Sequence, residues 1–517
     1  MTFTSYTSGA SGPPDQSADP LGGRPARKRR ATGGRFSLLT VSALVIAILL
    51  MTPLISLAIT VLTGESERWQ SLAQTVLPRY VANTIMLAGL VLAGVTIIGT
   101  STAWLTTMCR FPGRRFFEWA LVIPLAVPAY VLAYAYTEFL SHPGPVQTLL
   151  REVTGWGPRD YWFPRIRSLE GAAVMLTLVL YPYVYLLARA AFLRQSRTAF
   201  ETARSLGVSP LGAFWWVALP MARPAIAGGA ALAIMETLAD FGTVAHFAVQ
   251  TFTTGIYRAW FSMGDRVAAA QLAVALVGFV VVVLTLERLQ RGKARFDNRD
   301  LAQSLPEFRL RGWHAVGAVF ACALPILIGF VIPVVVLLEL FLTSTYETTF
   351  SRYLGYAWNS FVLAGGGAVL VVSLAVVLAY ARRASRSRLT AIANQLASLG
   401  YAMPGSIVAV GILIPLITLD RQISAFVEGA FGFDVGLLLT GTIAALLFAY
   451  AVRFMAVALN AVEASLMKIP PSMDAAARTL GSTQTRVLVR VHVPLMAGGL
   501  LTAFLIVFVD IMKELPA

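Results

Sequence analysis

The segment Glu201-Thr-Ala-Arg-Ser-Leu-Gly207 is followed thirteen residues later by Pro220. It recurs as Ala475-Ala-Ala-Arg-Thr-Leu-Gly481, with Pro494 at the same distance. Both copies interrupt long apolar runs with polar residues. The pattern predicts a helix, a glycine break, a short second helix and a proline. Gly207 and Gly481 suit helix C-caps, where a left-handed residue ends the helix. Ser209-Pro210 suits the cap and first position of the next helix. One such loop reads as a connector. Two copies, spaced alike between apolar runs, read as docking elements. A short capped helix can lie in a groove of a partner and move the attached segments as a lever.

Outward from these loops, composition sets the class. Of the 517 residues 57% are hydrophobic and 13% charged, and mean hydropathy is +0.70. A soluble domain carries about 25% charged residues. Several apolar runs exceed the roughly 20 residues that cross a bilayer. The chain therefore reads as an all-α polytopic membrane protein, because lipid offers backbone groups no partner outside a helix. Eleven spans are expected, at 36–63, 81–108, 116–140, 170–193, 222–245, 266–287, 313–342, 359–381, 390–418, 436–462 and 493–512. Residues 1–35 read as a disordered basic tail containing Arg24-Pro-Ala-Arg-Lys-Arg-Arg30. The apolar run after them is too long for a signal peptide.

Charge orients the chain. The tail and alternate loops, among them 194–223 and 468–490, hold 28 Lys and Arg, whereas the opposite loops hold 9. Positive charge marks the cytosolic side, which places the N-terminus and both glycine-broken loops in the cytosol. That asymmetry accounts for the net charge of +15 without a nucleic-acid partner.

An internal repeat organises the spans. An offset of 274 superposes Gly207 on Gly481, Pro220 on Pro494, Glu236 on Asp510 and Asp240 on Glu514. An offset of 276 superposes Asn83-Thr84 on Asn359-Ser360 and Pro128 on Pro404. The expected organisation is a first repeat over 36–290, a cytosolic linker over 291–312 and a second repeat over 313–517. An even number of spans per repeat makes the two parallel. A twelfth span is expected near 540–560, beyond Ala517, so the chain reads as truncated or as a fragment of a longer frame.

The two loops resemble the signature of ABC-importer permeases: Glu-Ala-Ala, three residues, Gly, nine residues, then Ile-x-Leu-Pro. The first copy matches at Glu201, Ala203, Gly207, Leu219 and Pro220 and departs at Thr202. The second has Ala475 at the glutamate position, Asp474 one residue earlier, Ala477, Gly481, and Val493 before Pro494. Met235-Glu-Thr-Leu-Ala-Asp-Phe-Gly-Thr-Val244, Thr251-Phe-Thr-Thr-Gly-Ile-Tyr-Arg-Ala-Trp260 and Val509-Asp-Ile-Met-Lys-Glu-Leu-Pro-Ala517 are similar to the ferric-iron subgroup with two fused permease halves. The resemblance implies a type I importer fold in a bacterial inner membrane. It implies two copies of a nucleotide-binding subunit carrying ATP and Mg, and an extracytoplasmic solute-binding protein. This chain would bind no cofactor and catalyse no reaction. Thiamine or a phosphonate are alternative substrates. An ion-coupled secondary transporter and a membrane scaffold are the readings from other classes; neither calls for paired docking loops.

Glu236 and Asp240 are four apart, as are Asp510 and Glu514, so each pair shares a helix face. Acids at mid-membrane cost about 3 kcal/mol each on insertion scales, so these four face the interior or an interface. Pairing with Lys513, Arg189 or Arg453 and lining a substrate pathway are both open. Carboxylates suit a hard cation such as ferric iron. His142, His246, His314 and His492 show no metal spacing, Cys109 and Cys322 suggest no disulfide framework, and Gly292-Lys293 lacks the upstream glycine of a P-loop. The outer loop 141–169 carries Trp, Tyr, Pro and Arg and reads as an interfacial aromatic belt or a surface for a solute-binding protein.

Overall fold

A computed structural model describes residues 38–195, 202, 205–291, 308–343, 350–385, 387–433 and 436–514. The basic tail, Glu201, Ala203, Gly292-Lys293 and most of the linker lie outside them. Among the described residues nine helices are long and apolar enough to cross a membrane, and two sharply bent helix pairs raise the number to as many as eleven. Among the described residues the fold is all-α apart from one two-residue bridge, Cys109–Arg110 parallel to Phe308–Arg309.

Several boundaries differ from the sequence reading, always at a proline, a glycine or a cap. The run 390–418 is not one span. It opens as a short helix, Arg388–Ala397, turns through Ser398–Ala402, and restarts after Pro404 as Gly405–Phe431. The turn is held tight because Gly400 lies against the Val452 carbonyl, where a Cβ would sit 1.9 Å from the oxygen. The run 116–140 does the same through Arg114–Ala120, Ile123–Ala126 and, after Pro128, Ala129–Leu140. There the pieces bend by 89°. The run 222–245 stops at Ala239, with Asp240 capping it. The run 493–512 breaks at Met496 with a 79° bend before Ala497–Lys513.

Packing crosses the boundary between the repeats. One core joins first-half residues such as Leu87, Trp104, Leu176 and Ala222 to Ala318, Cys322 and Ile326 of Trp313–Ile326. The other joins second-half residues such as Ala368, Val408 and Val507 to Ala43, Leu50 and Leu57 of Leu38–Thr63. It also takes Ala269, Leu272 and Leu276 from Arg266–Arg291. Each half thus lends its opening helix to the other. Within the first half, helices Leu77–Met108, Leu169–Leu193 and Leu219–Ala239 meet at Val184. Gly99 and Gly229 flank it so closely that a Cβ on either would fall 2.7 Å from a Val184 atom. Such small residues let backbones approach where lipid provides no hydrophobic drive between helices.

Candidate docking loops and central cavity

The two candidate docking loops are built to one plan. Gly207 has φ +82° and Gly481 φ +76°, both in open space. Each left-handed residue turns the chain after a helix, because glycine alone adopts that conformation without a Cβ clash. Leu206 and Leu480, at matching positions, stand 77% and 85% exposed beside the glycines. Ser209 Oγ then accepts from Gly212 N at 3.1 Å, and Thr483 Oγ1 accepts from Arg486 N at 3.4 Å. The same cap position starts the next helix in both halves. A π-helical turn follows in both, Phe214–Ala218 and Leu488–His492. Pro220 and Pro494 sit in the first turn of the helices after these turns.

Ala475 and Ala477 lie on Pro471–Thr479, the helix of the second candidate loop. Asp474 on that helix is gripped from two sides. Arg383 Nε meets its Oδ2 at 2.8 Å, and the fully buried His492 ring bonds its Oδ1. Arg383 also donates to the carbonyls of Leu466 at 2.7 Å and Ile469 at 2.9 Å. Burial pushes the Asp474 carboxyl up, but the hydrogen bonds and charges of Arg383 and His492 outweigh it. The group is held below the usual carboxylate range. The sequence reading missed this network, because His492 and Arg383 show no spacing relation to Asp474.

Glu236, Asp240, Asp510 and Glu514 all line one cavity of about 160 Å³ between the halves. Its walls repeat. Val127 and Met403, Pro128 and Pro404, Val179 and Arg453, Leu180 and Phe454, and Ala239 and Lys513 are equivalent positions, and all line it. The shared helix face holds only in part. Asp240 and Glu514 sit one residue past their helices, with extended ψ of 129° and 124°. There, Asp240 accepts from Thr243 Oγ1 at 2.9 Å and Val244 N at 3.1 Å, both in the first turn of Gly242–His246. Glu514 Oε2 pairs with Arg453 Nε at 2.8 Å. Lys513 Nζ donates to the Leu125 carbonyl at 2.9 Å, across the two halves. Arg189 takes no part, since it binds Glu118 at 3.0 Å. Among the described residues no three His, Cys, Asp or Glu side chains converge as a metal site, so the acids line the cavity without forming a chelate.

A family model described as "Binding-protein-dependent transport system inner membrane component" matches residues 95–293. That span takes in the first docking loop and the first pair of acids. The chain is 27% identical over 443 residues to the Fe(3+)-transport system permease protein FbpB 2 of Haemophilus influenzae, covering 84% of this chain and 79% of that protein. It is 23% identical over 470 residues to the putative ferric transport system permease protein FbpB 1 of the same organism, covering 86% and 70%. The molybdenum transport system permease protein ModB of Escherichia coli is 25% identical over 206 residues, 38% of this chain and 87% of that protein. With this multi-pass helical fold, these matches support a permease of an ABC importer with the type I architecture.

Proposed function

We propose that this permease admits ferric iron delivered by an extracytoplasmic solute-binding protein. ATP is hydrolysed with Mg on two copies of a separate nucleotide-binding subunit. The chain itself carries no cofactor. The N-terminus and both docking loops face the cytosol of a bacterial cell. The observation that carries the reading is the central cavity, to which each half brings two carboxylates. Oxygen donors suit a hard, highly charged cation, and the likeness to ferric permeases extends over both halves. The exposed Leu206 and Leu480 give the loops an apolar tip that a cytosolic partner would cover. Closure of that partner would push on the helices bearing Glu236 and Asp510, which follow the loops directly.

A second reading has its own observation. Arg453 and Lys513 put two cations in the same cavity, as an oxyanion would require, and the likeness to the molybdenum permease points the same way. The four acids outnumber them, which favours the cation. The double variant Glu236→Gln with Asp510→Asn separates the readings. Ferric uptake should collapse while membrane insertion and ATPase binding persist; full uptake would assign the acids a structural role. Orientation is tested by thiol labelling from outside spheroplasts. A cysteine at Gly155 should label, whereas cysteines at Arg204 and Arg478 should not.

A further inference from the structure

The cations of the central cavity belong to one half only. Positions 179 and 239 are Val and Ala in the first half, and their equivalents in the second are Arg453 and Lys513. The two cations are held differently. Arg453 is locked to Glu514, with side chains 13% and 5% exposed. Lys513 has a neutral partner, the Leu125 carbonyl on the turn Ile123–Ala126 of the opposite half. The acids divide the same way. Asp240 is occupied by Thr243 and Val244 and Glu514 by Arg453. Glu236 and Asp510, which are equivalent positions, make no hydrogen bond or ion pair to a described residue. Lys513 follows Asp510 by three residues on one helix, so the two side chains share a face.

We propose that Lys513 is a tethered counter-cation that stands in for the transported cation while the cavity is empty. Its ammonium offsets the repulsion between Glu236 and Asp510, and the Leu125 carbonyl holds it to one side. An entering trivalent cation brings three charges against one and displaces its field. A lysine suits this role because it is a compact point charge on a flexible stem, whereas arginine favours the fixed, forked pairing seen at Arg453. Lys513 is then a specificity-setting residue, raising the charge a substrate must carry to enter. This inference rests on the cation-permease reading above.

The test uses terbium(III), a hard trivalent ion with a preference for oxygen ligands. Its luminescence is sensitised by nearby tyrosines, and Tyr130 and Tyr183 stand on the cavity wall. The full chain is placed in phosphatidylcholine nanodiscs and titrated. Lys513→Gln removes the charge and keeps a donor for the Leu125 carbonyl. It should bind terbium roughly tenfold or more tighter, the scale on which one neighbouring charge shifts an ionic equilibrium. Lys513→Arg keeps the charge and should bind terbium no tighter than the parent, and Glu236→Gln with Asp510→Asn should abolish the signal. If Lys513→Gln fails to fold, Lys513→Met serves in its place. Unchanged or weaker binding in Lys513→Gln or its Met replacement, with the signal still lost in the acid variant, would overturn the role of Lys513 and leave the acidic cavity standing. Parent-like binding in the acid variant would overturn the cavity reading and this inference together.

Discussion

The two candidate docking elements occupy equivalent places and are fastened to the membrane helices by different chemistry. In the first half, Trp104 packs edge-to-face with Phe192 and tilted against Phe214, with centroids at 5.7 Å and 5.0 Å. Gln195 ties the helix end to the Ala218 carbonyl at 2.8 Å. The equivalents of Trp104 and Ala218 in the second half are Tyr380 and His492, whose rings lie 5.3 Å apart. There the Asp474–His492–Arg383 network takes over from apolar contact. A neighbouring pair also keeps its place and changes its partners. Glu118 meets Arg189 in the first half, whereas Asn394 meets Glu463 at 2.9 Å in the second, with Arg382 added. The repeat therefore conserves where two elements touch and leaves open how. Apolar packing is non-directional and insensitive to pH. A charged network fixes one geometry and titrates.

That contrast can be broken. Trp104→Ala should have the largest effect, about 3–5 kcal/mol, the usual result of emptying a large aromatic site, read as a fall in the thermal unfolding midpoint in detergent. A smaller loss than Asp474→Ala gives would show that aromatic packing does not carry the first element. Asp474→Ala comes next, at about 2–3 kcal/mol, because hydrogen bonds to charged groups are lost and His492 and Arg383 stay behind.

Asp474→Asn sharpens the comparison through pH. The native carboxyl titrates below its ordinary value, so its contribution is full above about pH 4. It fades as pH falls through the lowered native value. The gap between parent and Asp474→Asn should therefore be flat from neutral pH down to that point and close only below it. A gap already closing at pH 6 would contradict the network. Trp104→Ala should show no such dependence.

Smaller effects should fall equally on the two halves. Gly207→Val and Gly481→Val each force a β-branched residue into the left-handed region, at about 1–2 kcal/mol. Uptake should fall while the chain stays in the membrane and ATPase co-purification weakens. Unchanged uptake and co-purification in Gly207→Val would reduce that loop to a connector. Ser209→Ala and Thr483→Ala remove matching caps and should each cost about 1 kcal/mol. A strong effect at one site alone would show that the plans diverge earlier than the caps.

Much of this was legible in the chain. Apolar run lengths gave the helical membrane class, and the glycine-to-proline spacing gave the loops with their left-handed turns. The offset of 274 paired Glu236 with Asp510, and the structure lines one cavity with both. The lone Arg453 inside an apolar run was a readable signal, since a cation there needs a partner. The breaks at Pro404 and Met496 were not legible from hydropathy, which does not register a turn within an apolar run. Nor was the Asp474 network, whose members come from three elements.

Local chemistry decides what each segment is: backbone groups in lipid demand helices, glycine permits a positive φ, and Ser or Thr caps a free N–H. Those rules act within a few residues, so the sequence carries them directly. Which segments meet is settled only by packing. Each half lends its opening helix to the other, Lys513 reaches Leu125 across the halves, and Arg453 rather than Lys513 takes Glu514. Such choices depend on distances between residues tens to hundreds of positions apart, and no local preference encodes a distance.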